Sequence, residues 1–180
     1  MNNSYTYLSD PEMMKASDLI QLILQDHHAY VRAESSALIR ISSEAASELG
    51  THYPELLEIA VVVKAIMADM DMHQMKEERI LFPFIQAMDV SIETGAPVPQ
   101  SCFGDVRNPI RAMENDHEMV HSLLAKLDVL TNNFTAPTDA SSLIIELYTR
   151  LKAFRDNTFR HVHLENDILF KKAAEMQQNL

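Results

Sequence analysis

The sequence is poor in cysteine, glycine, tryptophan and basic charge, and each shortage removes a class of protein. A single cysteine, Cys102, permits no disulfide within the chain and no thiolate-built zinc or iron–sulfur site, so a reducing compartment is the expected setting. Three glycines and seven prolines in 180 residues leave few turn-formers, and the abundance of Ala, Leu, Met, Glu and Lys favours helix. Lys and Arg number 15 against 26 Asp and Glu, a net charge of −11. Neither nucleic acid nor an anionic membrane is therefore an expected partner, because both reward basic patches. No apolar run approaches the ~20 residues of a membrane span. The start, Met1-Asn2-Asn3-Ser4-Tyr5, has neither the basic nor the apolar region of a signal peptide, which makes a cytoplasmic location the expectation. With 47% hydrophobic residues the chain can bury one sizeable core.

Against that plain background one pattern stands out. His161-Val162-His163-Leu164-Glu165 is followed by Asn166-Asp167 and then Ile168-Leu169-Phe170. On a helix His161 and Glu165 lie one turn apart on the same face. One such pair arises by chance in many helices. Here it occurs twice, because His73-Gln74-Met75-Lys76-Glu77 is followed by Glu78-Arg79 and Ile80-Leu81-Phe82. His161 follows His73 by 88 residues, Glu165 follows Glu77 by the same interval, and the apolar triplets keep it too.

The periodicity predicts four long helices. Ser9-Asp10-Pro11-Glu12 has the form of a capping box and suggests a helical turn in an N-terminal arm, residues 1–16. The bundle domain is expected over 17–178. Ser17 or Asp18 can cap a first helix running to about Leu49, with Gly50 ending it. Pro54 opens a second helix to about Met88, and Pro83 is expected to kink it. Val90 to Asp105 is predicted as loop. Asn108-Pro109 forms a cap and first-turn pair for a third helix that fades at Asn132-Asn133. After Ala136-Pro137-Thr138-Asp139 the fourth helix carries Leu147, Leu151, Phe154, His161, Glu165 and Ile168 on one seam. Asp26-His27-His28 in the first helix is echoed by Asp116-His117 in the third. The halves thus look like two related helical hairpins.

His73 and Glu77, Met113 with His117, and His161 with Glu165 all fall on apolar seams. Buried imidazoles and carboxylates are costly unless paired. Two Glu from opposite helices and His from all four would converge in the bundle centre, a layout for two metal ions bridged by carboxylates. Nitrogen and oxygen donors without thiolate favour iron over manganese. No H-E-x-x-H motif is present for a zinc protease. Ferritin-like sites need Glu-x-x-His on two helices, and only the third helix has it, as Glu114/His117 and Glu118/His121. By heptad count His27 lies closer to the first-helix stripe than His28. His163 is expected to face solvent or stand behind the ligands, His52 to be a structural or surface residue, and Cys102 to be incidental.

At these residues the chain resembles the hemerythrin-like His-His-Glu family, and more closely its di-iron branch involved in the repair of iron centres. The similarity runs over about residues 17–175. It is carried by 69–83 (Asp69 to Pro83), Met113-Glu114-Asn115-Asp116-His117-Glu118, Leu130-Thr131-Asn132-Asn133-Phe134-Thr135 and His161-Val162-His163-Leu164-Glu165-Asn166. The resemblance implies an all-α, up-down-up-down four-helix bundle holding two iron ions. It implies His28, His73, His117 and His161 as ligands, with Glu77 and Glu165 bridging, and so selects His28 over His27. Asp69 and Asp116 match acidic positions beside the iron site. It further implies a role in nitrosative and oxidative stress, with nitric oxide, peroxide or damaged iron–sulfur proteins as partners. Two departures bear on function. Relatives of the repair class carry an N-terminal Cys-Cys domain that this sequence is expected to lack. His121, one turn after His117, instead resembles the extra histidine of oxygen-binding hemerythrin. It suggests an alternative, a reversible dioxygen-binding or sensing protein with His121 as a further ligand.

Overall fold

A computed structural model describes residues 10–98 and 100–180 of the chain. Four helical rods account for most of it: α1 (16–49), α2 (55–94), α3 (Arg107–Leu130) and α4 (142–178). They alternate in direction and pack as an up-down-up-down bundle, α1 against α2 and α4, and α2 against α3. No strand occurs among the described residues. No helix among them is long and apolar enough to cross a membrane.

The starts of α1 and α3 are tied across the bundle. Ser17, expected as a cap, lies inside the first turn of α1. Its amide and hydroxyl both donate to Asp89 Oδ2 near the end of α2, each at 2.7 Å. A carboxylate from a neighbouring helix thus satisfies a first-turn amide in place of a local cap. The other hairpin repeats the arrangement, with the amide of Val106 donating to Gln177 Oε1 near the end of α4 at 2.6 Å.

Boundaries shift for identifiable reasons. Val90 to Thr94, expected as loop, continue α2 until Gly95, which adopts φ 71° and donates to Ser91 O. α3 begins at Arg107 rather than after Asn108, because the Asp105 carboxylate accepts from the Arg107 amide at 2.9 Å. Asn132, Asn133 and Phe134 all have positive φ, which ends α3 as a tight turn. The expected cap Ser9 lies outside the described residues; Asp10 accepts from the Glu12 amide at the head of the short 3₁₀ turn Pro11–Met13.

Three of the rods contain a π-helical turn: Ile23–His28 in α1, Glu77–Leu81 in α2 and Leu164–Leu169 in α4. Pro83 follows the second of these; it lacks the N–H that would bond Arg79 O, so the irregular turn is the one a proline at this position disrupts. All three π turns fall in one layer of the bundle. On one side of that layer lies an apolar core that includes Leu38, Ile59, Leu124 and Phe154. On the other lies a second core with Ile20, Phe82, Met113 and Leu169. Every rod passes from one core to the other through the layer, and the buried histidines and glutamates collect there.

Candidate metal centre

The layer between the cores holds His28 from α1, His73 and Glu77 from α2, His117 from α3, and His161 and Glu165 from α4. None exceeds 4% exposure. The six form two overlapping groups whose donor atoms lie within 4.8 Å of one another. One contains His28, His161, Glu77 and Glu165; the other contains His73, His117, Glu77 and Glu165. Both carboxylates belong to both groups. His28 Nε2 stands 3.2 Å from His161 Nε2, and His73 Nε2 stands 3.0 Å from His117 Nε2. Glu165 divides its oxygens, Oε1 at 2.8 Å from His161 Nε2 and Oε2 at 3.1 Å from His117 Nε2. Glu77 Oε2 lies 3.2 Å from His73 Nε2 and 3.3 Å from His28 Nε2.

The electrostatics of the layer are those of a site that wants cations. Glu77 and Glu165 are buried side by side, which raises their proton affinity. The surrounding histidines, His161 and His117 for Glu165 and His73 and His28 for Glu77, more than offset that and hold both below the usual carboxylate range. Burial pulls His28 down, but the two carboxylates outweigh it and hold the ring up at about 10. His73 is likewise raised to about 8 against its burial, chiefly by Glu77. His161, buried and close to His28, is lowered. His27 is pushed down to about 4 by burial and then by His161.

Behind the six stand residues that orient the rings. His28 Nδ1 is 2.8 Å from Glu78 Oε1, His117 Nδ1 is 2.9 Å from Asn166 Oδ1, and His73 Nδ1 is 3.4 Å from Asp116 Oδ2. Glu78 and Asn166 each directly follow a shared carboxylate, so the repeated motif carries its own ring-orienting acceptor. Their spacing in the sequence is the same 88 residues, a signal of the role that the His-x-x-x-Glu frame by itself does not include. The triplets have a similar part: Phe82 lies over the ring of His28, centroids 5.6 Å apart, and Phe170 over that of His117 at 6.2 Å.

His121 stays outside this group. It is exposed on α3, and its ring stacks on Phe159 of α4 with centroids 5.3 Å apart. By the hairpin repeat it corresponds to Arg32 on α1, each four residues beyond a ring of the centre. Arg32 is also an outer residue, bonded to Glu78. His121 lines, with His117, Phe159 and Val162, a cavity of about 260 Å³ between α3 and α4. His163 is exposed and bonded to Asp167, His52 is exposed beside Asp139, and Cys102 is an exposed free thiol.

A helical bundle whose two His₂Glu₂ groups share both carboxylates has the donor set of a metal-binding bundle. The chain belongs to the hemerythrin HHE cation-binding domain family, whose model matches residues 20–173. It is 34% identical over 153 residues to the iron–sulfur cluster repair protein DnrN of Neisseria gonorrhoeae, covering 85% of this chain and 88% of that one. It is 32% identical over 159 residues to the iron–sulfur cluster repair protein YtfE of Musicola paradisiaca (strain Ech703), covering 87% of this chain and 65% of that one. A YtfE of Yersinia pseudotuberculosis serotype IB (strain PB1/+) is 29% identical over 164 residues, 91% of this chain and 68% of its own length.

Proposed function

We propose that the centre holds two iron ions and serves an iron–sulfur cluster repair protein acting under nitrosative or oxidative stress. The observation that carries this reading is the sharing of Glu77 and Glu165 by both donor groups. Two carboxylates buried together are tolerable only where positive charge lies between them. Glu77 Oε1 is buried with no hydrogen-bond partner, and Glu77 Oε2 and Glu165 Oε2 face only Nε2 atoms of the centre's own histidines, at 3.1–3.3 Å and outside hydrogen-bond geometry, as metal-bridging oxygens would. Four imidazoles and two carboxylates without thiolate suit iron better than a structural zinc. His28 and His161 would hold one ion, His73 and His117 the other. Iron bound there supplies one-electron chemistry and open positions for nitric oxide or peroxide.

The chain's own residues define the rest. The two apolar cores exclude water from above and below. Glu78, Asp116 and Asn166 hold the rings with Nε2 turned inward. The names of the relatives supply the substrate class, damaged iron–sulfur proteins. A dioxygen-binding role with His121 as a ligand draws no support from the position of that ring.

Iron analysis of anaerobically loaded protein tests the metal reading: two irons per chain are expected, and fewer than one overturns it. The functional reading is tested with an iron–sulfur enzyme inactivated by nitric oxide. Loaded protein restores its activity, and Glu77→Gln/Glu165→Gln protein treated identically does not. Equal recovery with both, or none with either, overturns the repair role.

A further inference from the structure

Three of the four histidines have a partner on Nδ1. His161 does not: its Nδ1 is buried and without a hydrogen-bond partner in the protein. Stacked against its ring is His27, which belongs to neither donor group. His27 is 1% exposed, and its ring lies nearly parallel to that of His161, 12° between planes and 5.6 Å between centroids.

The state of His27 follows from its own neighbour. Its Nδ1 is 3.2 Å from Asn157 Oδ1, and the Asn157 amide nitrogen is 3.4 Å from the backbone oxygen of Asp26. Turning the amide over would set its oxygen against the Asp26 carbonyl, so Oδ1 faces His27. An amide oxygen only accepts, which puts the proton of His27 on Nδ1 and leaves Nε2 with a bare lone pair. That Nε2 is also buried and unpartnered. A histidine that ligates through Nε2 carries its proton on Nδ1, so His161 presents a donor. An unpaired buried donor and an unpaired buried acceptor therefore sit on adjacent parallel rings, and each is costly alone.

The hairpin repeat makes the same assignment independently. His117 follows His28 by 89 residues, and Asp116 follows His27 by the same interval. Asp116 is the acceptor facing Nδ1 of His73. His161 is the counterpart of His73 in the other half. His27 thus occupies, toward His161, the position that Asp116 occupies toward His73.

We propose that His27 is a positioning residue of the metal centre. Its neutral Nε2 accepts the Nδ1–H of His161 through one bridging water and fixes that ring with Nε2 turned to the metal. The proposal rests on the two-ion reading above. It completes the outer set: each ion then has one ring backed by a carboxylate, Glu78 or Asp116, and one backed by a neutral group, His27 or Asn166.

The test uses the full chain loaded with iron, with His27→Phe (ring volume kept, acceptor removed) and His27→Gln (an acceptor restored). Chelator competition on His27→Phe is expected to show one ion weakened by about 10–100-fold and the other unchanged. The Mössbauer signal of one iron should change and that of its neighbour should not. His27→Gln should recover most of the affinity. Both ions at wild-type affinity in His27→Phe, with an unchanged spectrum, overturn the proposal while leaving the two-ion reading intact. Wild-type protein that binds no iron overturns both. Should His27→Phe not fold, ¹⁵N spectra of histidine-labelled wild-type protein loaded with diamagnetic zinc decide the matter: an Nδ1–H tautomer at His27 supports the proposal, and an Nε2–H tautomer overturns it.

Discussion

Glu165 reaches across the bundle to His117: its Oε2 lies 3.1 Å from His117 Nε2 on α3, while Oε1 remains 2.8 Å from His161 on its own helix. One carboxylate therefore touches both halves of the centre, and its loss cannot be local to one ion. Glu165→Gln keeps the side-chain volume but removes a charge and one anionic oxygen. The expected outcome is a folded protein that retains at most one iron per chain, read by metal analysis after gel filtration. Retention of two irons would show that Glu165 is not a bridge.

Glu78 does not enter either donor group, yet it holds the outer nitrogen of His28 at 2.8 Å and is itself bonded by Arg32. Glu78→Ala leaves all six inner residues in place. Loss of such an outer acceptor typically weakens a metal site by about 10–100-fold. Chelator competition should show that loss for one ion. An affinity within twofold of wild type would mean the His28 ring is held by packing against Phe82 alone.

The paired His-x-x-x-Glu motifs make the bundle, its four helices and its inner residues legible in the sequence. Displacement by 88 residues marks two polar groups placed by a common frame. The heptad count fails at His27 and His28 for a definite reason. The π turn Ile23–His28 inserts one residue into α1, so a seam counted from Ile20 and Leu24 lands on His27, while the extra residue carries His28 into the centre. A π turn has no composition signal, which is why only a resemblance could choose between the two. His121 misleads because i,i+4 spacing puts it near the stripe of His117 without saying how deep the stripe is buried. The tie at Ser17 is invisible to local capping rules because Asp89, its partner, lies 72 residues away.

His121→Ala is expected to leave iron content unchanged, because the ring is exposed and stacked on Phe159 rather than turned to the centre. Its effect should be kinetic. His121 and Phe159 line the cavity of about 260 Å³ that also reaches His117, the most exposed of the six inner residues at 4%. Iron extraction by a bulky chelator should therefore speed up several-fold in His121→Ala and further in Phe159→Ala. A fall in iron content in His121→Ala would instead restore it as a ligand.

The metal-free protein should be most stable near pH 6.5 and weaken on both sides. On the alkaline side, His28 and His73 have raised pKa values, about 10 and about 8 against an ordinary 6.5. Their contribution is complete below 6.5 and disappears as pH rises through those values. On the acid side, Glu77 and Glu165 are held below the ordinary 4.5, so their contribution is complete above it and is lost as they protonate. His27, lowered to about 4 by burial, adds to that loss as pH falls from 6.5, because the unfolded chain takes up the proton first. Bound iron replaces the protons that His28 and His73 otherwise need to balance the carboxylates, so loading should flatten the alkaline limb. Thermal melts followed by circular dichroism from about pH 4.5 to about pH 9.5, with and without iron, check this. A metal-free Tm that climbs between about pH 7 and about pH 9 would mean that His28 and His73 do not share their protons with Glu77 and Glu165 in the way the distances require.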